Sequence, residues 1–253
     1  MRSSKTLILA AVLAASLAAP ALFAQKAAPA GNKEALSVLE RMLAAMGGRK
    51  VLESIKDVTI SGTAELIPFG ITAPVTVYQK QPDKVRVDVT VVEANMTIIQ
   101  AFDGRKGWFT DPQSGGAVEE MPDHLAREFG RQAGENQALL FPQKHGVTYV
   151  LKPKAVLDGK DRIVLEQTLA DGTKTTYFLD PETYLPFKTA ARSVDQSGAA
   201  VDAETYSSNY QKVGGLMVPY ALRIVQNGAE AQRVTVTAVT FNTNLDDALF
   251  TLK

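Results

Sequence analysis

The chain has 253 residues, with 27 basic and 27 acidic side chains, two histidines and no cysteine. An even charge balance gives no electrostatic footprint for nucleic acid or for an anionic membrane surface. The missing thiols exclude disulfides, thiolate metal sites and lipid modification of an N-terminal cysteine.

Arg2 and Lys5 precede an apolar run from Leu7 to Ala19. That is the pattern of an export signal, because a membrane span needs roughly 18 or more apolar residues. An uncleaved anchor is the alternative. Cleavage is expected after Leu22-Phe23-Ala24, with Ala19-Pro20-Ala21 as a second choice. Removing residues 1–24 takes away Arg2 and Lys5 but no acid, so 25 basic face 27 acidic groups, a net −2. The expected product is a soluble periplasmic protein. Residues 25–32, rich in Ala, Pro and Gly, read as a flexible N-terminus. Residues 33–253 suffice for one domain with a substantial core.

Leu36, Leu39, Leu43 and Met46 recur at helical spacing, and Gly47-Gly48 supplies the stop. A short second helix is predicted from Arg49 to Ile55. The period then changes to two. Val58, Ile60, Ala64 and Leu66 share one face, as do Ile71, Ala73, Val75 and Val77, and then Val85, Val87, Val89 and Val91. Turn signals at Pro68-Phe69-Gly70, Gln81-Pro82-Asp83 and Asp103-Gly104 separate these runs. They predict antiparallel strands with one dry face and one wet face.

Pro122 to Phe141 has helical character, with Leu125 and Phe129 one turn apart. Gly130 and Gly134 predict an interruption there, giving two short helices or a helix and an irregular loop. Glu119-Glu120 suit the start of such a helix, where the dipole favours negative charge. After Val147, turn dipeptides at 158–159, 171–172, 180–181, 197–198, 214–215 and 227–228 mark further strands. The count is about 11 strands, so the fold class is mainly β with some α.

A sheet that large must curl, close or split into two layers. A curled antiparallel sheet with a few helices in its concavity leaves an apolar trough, a common binding geometry. A two-layer sandwich with a solid core satisfies the alternation equally well.

Several motifs together resemble the periplasmic outer-membrane lipoprotein-sorting proteins of the LolA/LolB/RseB-like superfamily. They are Met46 to Lys50 with Val58 to Thr63, Phe102 to Trp108, Tyr177 to Thr183, Asn209 to Pro219, and Asn242 to Phe250. The resemblance implies an open half-barrel with an N-terminal helix and short helices in its concave face. It also implies binding of lipid acyl chains or lipoproteins there, without a cofactor. A membrane-anchored envelope protein is a further implied class of partner.

The cavity and lid residues expected to meet such a ligand are Val87, Val89, Val91, Trp108, Leu125, Phe129, Leu139, Leu140 and Phe141. Each also has a structural reading. Trp108, the sole tryptophan, would anchor its hairpin as naturally as it would line a cavity mouth. The five helix-segment residues would equally plug the sheet as core. Arg86 and Arg223 fall on strands, either solvent-exposed or latching a helix end through its carbonyls. His124 and His145 stand without the further ligands a metal site requires. No nucleophile elbow, phosphate loop or dinucleotide fingerprint is present, so an enzyme is the weaker reading. The leading expectation is a monomeric carrier or chaperone for hydrophobic cargo. An envelope sensor or interaction domain is the alternative, and an envelope hydrolase with an unfamiliar site stands third.

Overall fold

The computed structural model describes residues 33–92, 95–111, 115–195 and 197–251. The expected signal (1–24) and N-terminal linker (25–32) lie outside the described residues. Helices α1 (Lys33–Ala45) and α2 (Arg49–Ser54) open the chain. Six strands follow: β1 (Asp57–Leu66), β2 (Ile71–Lys80), β3 (Lys84–Val91), β4 (Met96–Phe102), β5 (Gly107–Asp111) and β6 (Ala117–Glu120). Helix α3 (Asp123–Leu140) separates them from seven more: β7 (Thr148–Leu157), β8 (Lys160–Thr168), β9 (Lys174–Leu179), β10 (Pro186–Val194), β11 (Ala200–Val213), β12 (Leu216–Gln226) and β13 (Ala229–Phe241).

All thirteen strands form one antiparallel sheet in the order β6-β5-β4-β3-β2-β1-β13-β12-β11-β10-β9-β8-β7. The sheet is open, with β6 and β7 as its two edges. The sequence count of about 11 therefore falls short by the β5–β6 hairpin. Its strands are five and four residues long, with Gly115-Gly116 between them, so they carry too little alternation to register. Glu119 and Glu120 belong to that hairpin, opposite Phe109 and Trp108, and not to a helix start.

Register confirms the predicted dry face of the first strands. Leu66 pairs Ile71, Ala64 pairs Ala73, Val77 pairs Val87 and Val89 pairs Ile98. At the centre, β1 meets β13 with a register shift between Ser61 and Gly62. A Cβ on Gly62 would stand 2.4 Å from the Thr235 carbonyl oxygen, so only glycine permits that approach. Gly47 plays a similar part between distant motifs. The α1–α2 turn rests on the β11–β12 turn, where a Gly47 Cβ would lie 2.6 Å from the Gly215 oxygen. Met217 N–H donates to the Met46 carbonyl beside it at 3.0 Å.

Helix α3 crosses the dry face from one sheet edge to the other as one continuous element of 18 residues, about 27 Å long. The two expected pieces are fused because Gly130 earns its place by packing: its Cβ would meet the Phe102 ring at 2.9 Å. The first half of α3 covers an aliphatic cluster of Val75, Val85, Val87, Val89, Ile98 and Phe102 with Phe129 and Ala133. Its last turn joins α1 over a second cluster containing Leu39, Leu43, Tyr149, Leu165, Tyr177 and Leu179.

After β13 the chain turns back across the outer face as a strap. The buried Asp57 carboxylate accepts the backbone N–H groups of Thr243 at 2.7 Å and Asn244 at 3.0 Å. Farther along, Lys80 and Lys84 reach Asp247 at 2.6 and 2.9 Å. Arg86 donates to the Leu249 carbonyl, and Phe250 is fully buried.

Candidate functional site

The two clusters under α3 do not merge. Between them, beneath the helix from Arg131 to Ala138, a cleft of about 540 Å³ opens. That size falls within the range of roughly 300–1,000 Å³ typical of ligand pockets. Its far walls are the β2–β3 turn at Pro82-Asp83, the β8–β9 turn around Leu169 to Asp171, and Lys144 to Val147 after the helix. Gly134 lies at the roof and contributes no side chain, which keeps the space open.

The cleft has apolar walls in Pro82, Ala138, Val147 and Leu169 and a polar floor. Tyr149 on β7 and Gln167 on β8 are direct cross-strand partners, and Tyr177 follows on β9. All three are buried, yet Gln167 reaches the cleft wall. Gln167 Nε2 donates to the Tyr149 hydroxyl at 2.7 Å, and the Tyr177 hydroxyl donates to Glu135 Oε1 at 3.2 Å. Burial pushes both phenol pKa values up, and the Glu135 charge adds to the effect. Both tyrosines therefore keep their protons at neutral pH.

Two contacts hold the helix over this cleft. Gln137 Nε2 donates to Gln81 Oε1 on the β2–β3 turn at 3.0 Å. At the end of α3, the Arg49 guanidinium donates to the Leu140 carbonyl and also pairs with Glu40 of α1. An arginine thus satisfies an orphan helix-end carbonyl. It comes from α2, whereas Arg86 binds the strap and Arg223 stacks on Tyr206 at 3.9 Å.

Val87, Val89, Phe129, Leu139 and Leu140 are buried under or within α3. Val91 and Leu125 are half-buried against the first cluster. Leu140 and Phe141 line a second depression of about 360 Å³ with Leu36, Leu39 and Arg49. Phe141 is 37% exposed. Trp108 sits apart. It pairs Ala101, which pairs Arg86, so it occupies the outer face opposite α3. There its indole N–H donates to the Phe250 carbonyl at 2.9 Å beneath the strap. None of the nine residues lines the larger cleft.

Glu135 and Gln167, which line the cleft, and Tyr149 and Tyr177, which are hydrogen-bonded to them, escaped the sequence reading. Gln167 shares the inward face of β8 with Leu165, and that misplaced polarity was the available signal. Among the described residues no group of three or more His, Cys, Asp or Glu side chains is placed to hold a metal ion. No described helix is long and apolar enough to cross a membrane.

Solved structures share this architecture. A domain of the outer membrane lipoprotein-sorting type from Vibrio parahaemolyticus superposes with a TM-score of 0.56 at 15% identity, covering 86% of this chain and 96% of that one. A LolA superfamily protein from Nitrosomonas europaea gives 0.56 at 17% identity, covering 86% and 97%. A DUF1329 family protein from Desulfovibrio piger gives 0.58 at 13% identity, with the same coverage. No protein-family model and no curated protein matches the sequence itself. These likenesses show a shared fold, an open half-barrel with helices across its concave face.

Proposed function

We propose that this chain is an exported periplasmic carrier that binds the acyl chains of lipids or lipoproteins beneath α3. The observation that carries the reading is the cleft itself, an opening between two apolar clusters bridged by one helix. Likeness in fold to lipoprotein-sorting domains supports it. An acyl chain would enter beside Gly134 and run toward either cluster as α3 lifts. Phe129, Leu125, Val87, Val89 and Val91 would then line one direction, and Leu139, Leu140 and Phe141 the other. Each methylene buried is worth about 0.8 kcal/mol, so a single chain supplies useful affinity. Lifting the helix consumes part of that gain and keeps binding reversible.

The test is native mass spectrometry of protein purified from an envelope fraction, followed by incubation with a long-chain lipid. A bound lipid, or uptake of about one chain per molecule, is the expected result. The Arg49→Leu variant, which frees the last turn of α3, should speed both uptake and release. A protein that carries no lipid and takes up none would end the carrier reading.

A further inference from the structure

The floor of the cleft is more specific than hydrocarbon requires. Around it the inner face of β7 to β9 is apolar, with Val147 before β7 and Leu165 and Leu179 fully or nearly fully buried. Four polar side chains interrupt this surface: Tyr149 at 0%, Gln167 at 2%, Tyr177 at 3% and Thr175, the partner of Gln167 on β9, at 7% exposure. Groups that costly to bury need hydrogen-bond partners. A primary amide has two N–H protons. Tyr149 accepts one from Gln167 at 2.7 Å, and among the described residues no acceptor takes the other. The Tyr177 hydroxyl stands 3.5 Å from Gln167 Oε1, at the limit of a hydrogen bond, and gives its proton to Glu135 Oε1 at 3.2 Å. Glu135 also lines the cleft, from an exposed position on α3. A donor and a charged acceptor thus face the same space, tied through one phenol. Ala138, Val147 and Leu169 form apolar walls beside them.

We infer that the cleft recognises an N-acylated ligand, an acyl chain joined through a secondary amide. The inference rests on the proposal that an acyl chain enters this cleft. The amide carbonyl accepts from Gln167, and the amide N–H donates to the Glu135 carboxylate. The chain then lies against the apolar walls. An ester of the same length offers the carbonyl alone and forgoes the bond to the carboxylate. Alkane chains offer neither group and leave the buried Gln167 donor unsatisfied.

Two probes that differ by one atom test this: N-methylhexadecanamide and methyl hexadecanoate, each competing against a fluorescent long-chain fatty probe on the whole mature protein. The expected result is about tenfold tighter binding of the amide, the size of one charge-assisted hydrogen bond. Glu135→Ala, on an exposed position of α3, should bring the ratio close to one by weakening the amide. Gln167→Met, of similar volume, should weaken both probes. If Gln167→Met fails to fold, the Glu135→Ala ratio decides alone. Equal affinities in the wild type, or an amide preference that survives Glu135→Ala, would overturn amide recognition and leave the carrier reading standing. Failure of both probes to bind would remove the two together.

Discussion

The two halves of the sheet are built from the same hairpins but packed on different chemistry. Under the first half of α3, strands β1 to β4 present Ala, Val, Leu, Ile and Phe and no buried tyrosine. Under the last turn of α3, strands β7 to β9 set Tyr149, Gln167 and Tyr177 among the leucines. The first half is a dry seat that fixes the helix. In the second, the helix closes over side chains that hydrogen-bond one another and reach open space. A single helix therefore rests on one rigid support and one adaptable support, and the cleft opens at the join. On the proposed carrier function, stability and access fall to different strands.

The contrast is broken most severely by Phe129→Ala. Truncating this buried ring should cost about 3–5 kcal/mol in urea unfolding, because it leaves a cavity in the seat. Its counterpart, Tyr177→Phe, keeps the ring and loses only the bond to Glu135, so about 1 kcal/mol is expected. Comparable losses in the two variants would contradict the assignment of rigidity to the first half.

Acid sharpens the contrast next. Four carboxylates of the second half have lowered pKa values. Asp180 is held down chiefly by the Thr183 backbone N–H, and Asp195 chiefly by the Ser197 hydroxyl. In Glu166 and Glu204, partial burial works the other way. It is outweighed by Lys174 and Lys152 in one case, and by Lys188 and Tyr206 in the other. In the strap, Asp247 is lowered through Lys80 and Lys84. A carboxyl with a lowered native pKa stabilises the fold above its unfolded value, around 4, and that contribution is lost as pH falls through the native value. Hydrogen exchange between pH 5 and pH 3 should therefore lose protection in β8 to β11 before β1 to β4. Uniform loss would refute the regional difference.

The smallest effect tests the join. A Cβ on Gly134 meets nothing within 4 Å, unlike one on Gly130. Gly134→Ala should raise stability by about 0.5–1 kcal/mol through helix propensity alone. Stiffening α3 at that point should also slow lipid uptake in stopped-flow fluorescence. Unchanged kinetics would mean that the helix moves as one body.

Much of this architecture was legible in the sequence because periodicity and turn chemistry are local. The valines of β3 and the dipeptides separating β7 to β13 placed eight of the strands by themselves, and Gly47-Gly48 ended α1. The β5–β6 hairpin was not legible, being too short to alternate. The floor of the cleft was less legible still. Tyr149, Gln167, Tyr177 and Glu135 come from three strands and a helix, and only the register of β7 on β8 sets the first two side by side. Trp108 shows the same limit from the other side. The Asp103-Gly104 turn before it was visible, but the face it occupies is decided by pairing with Ala101 and by a strap that arrives 142 residues later.

Every hydrogen-bonded neighbour in the sheet is the next strand along the chain, except where β1 meets β13. Val58 and Phe241 face each other across that seam, although nearly the whole domain lies between them. During folding, each meander can assemble from contacts close in sequence, which carry little loop-closure entropy. Within the sheet, the seam alone joins strands far apart in sequence, so pairing β1 with β13 carries the largest loop-closure cost, in the middle where the sheet looks most continuous.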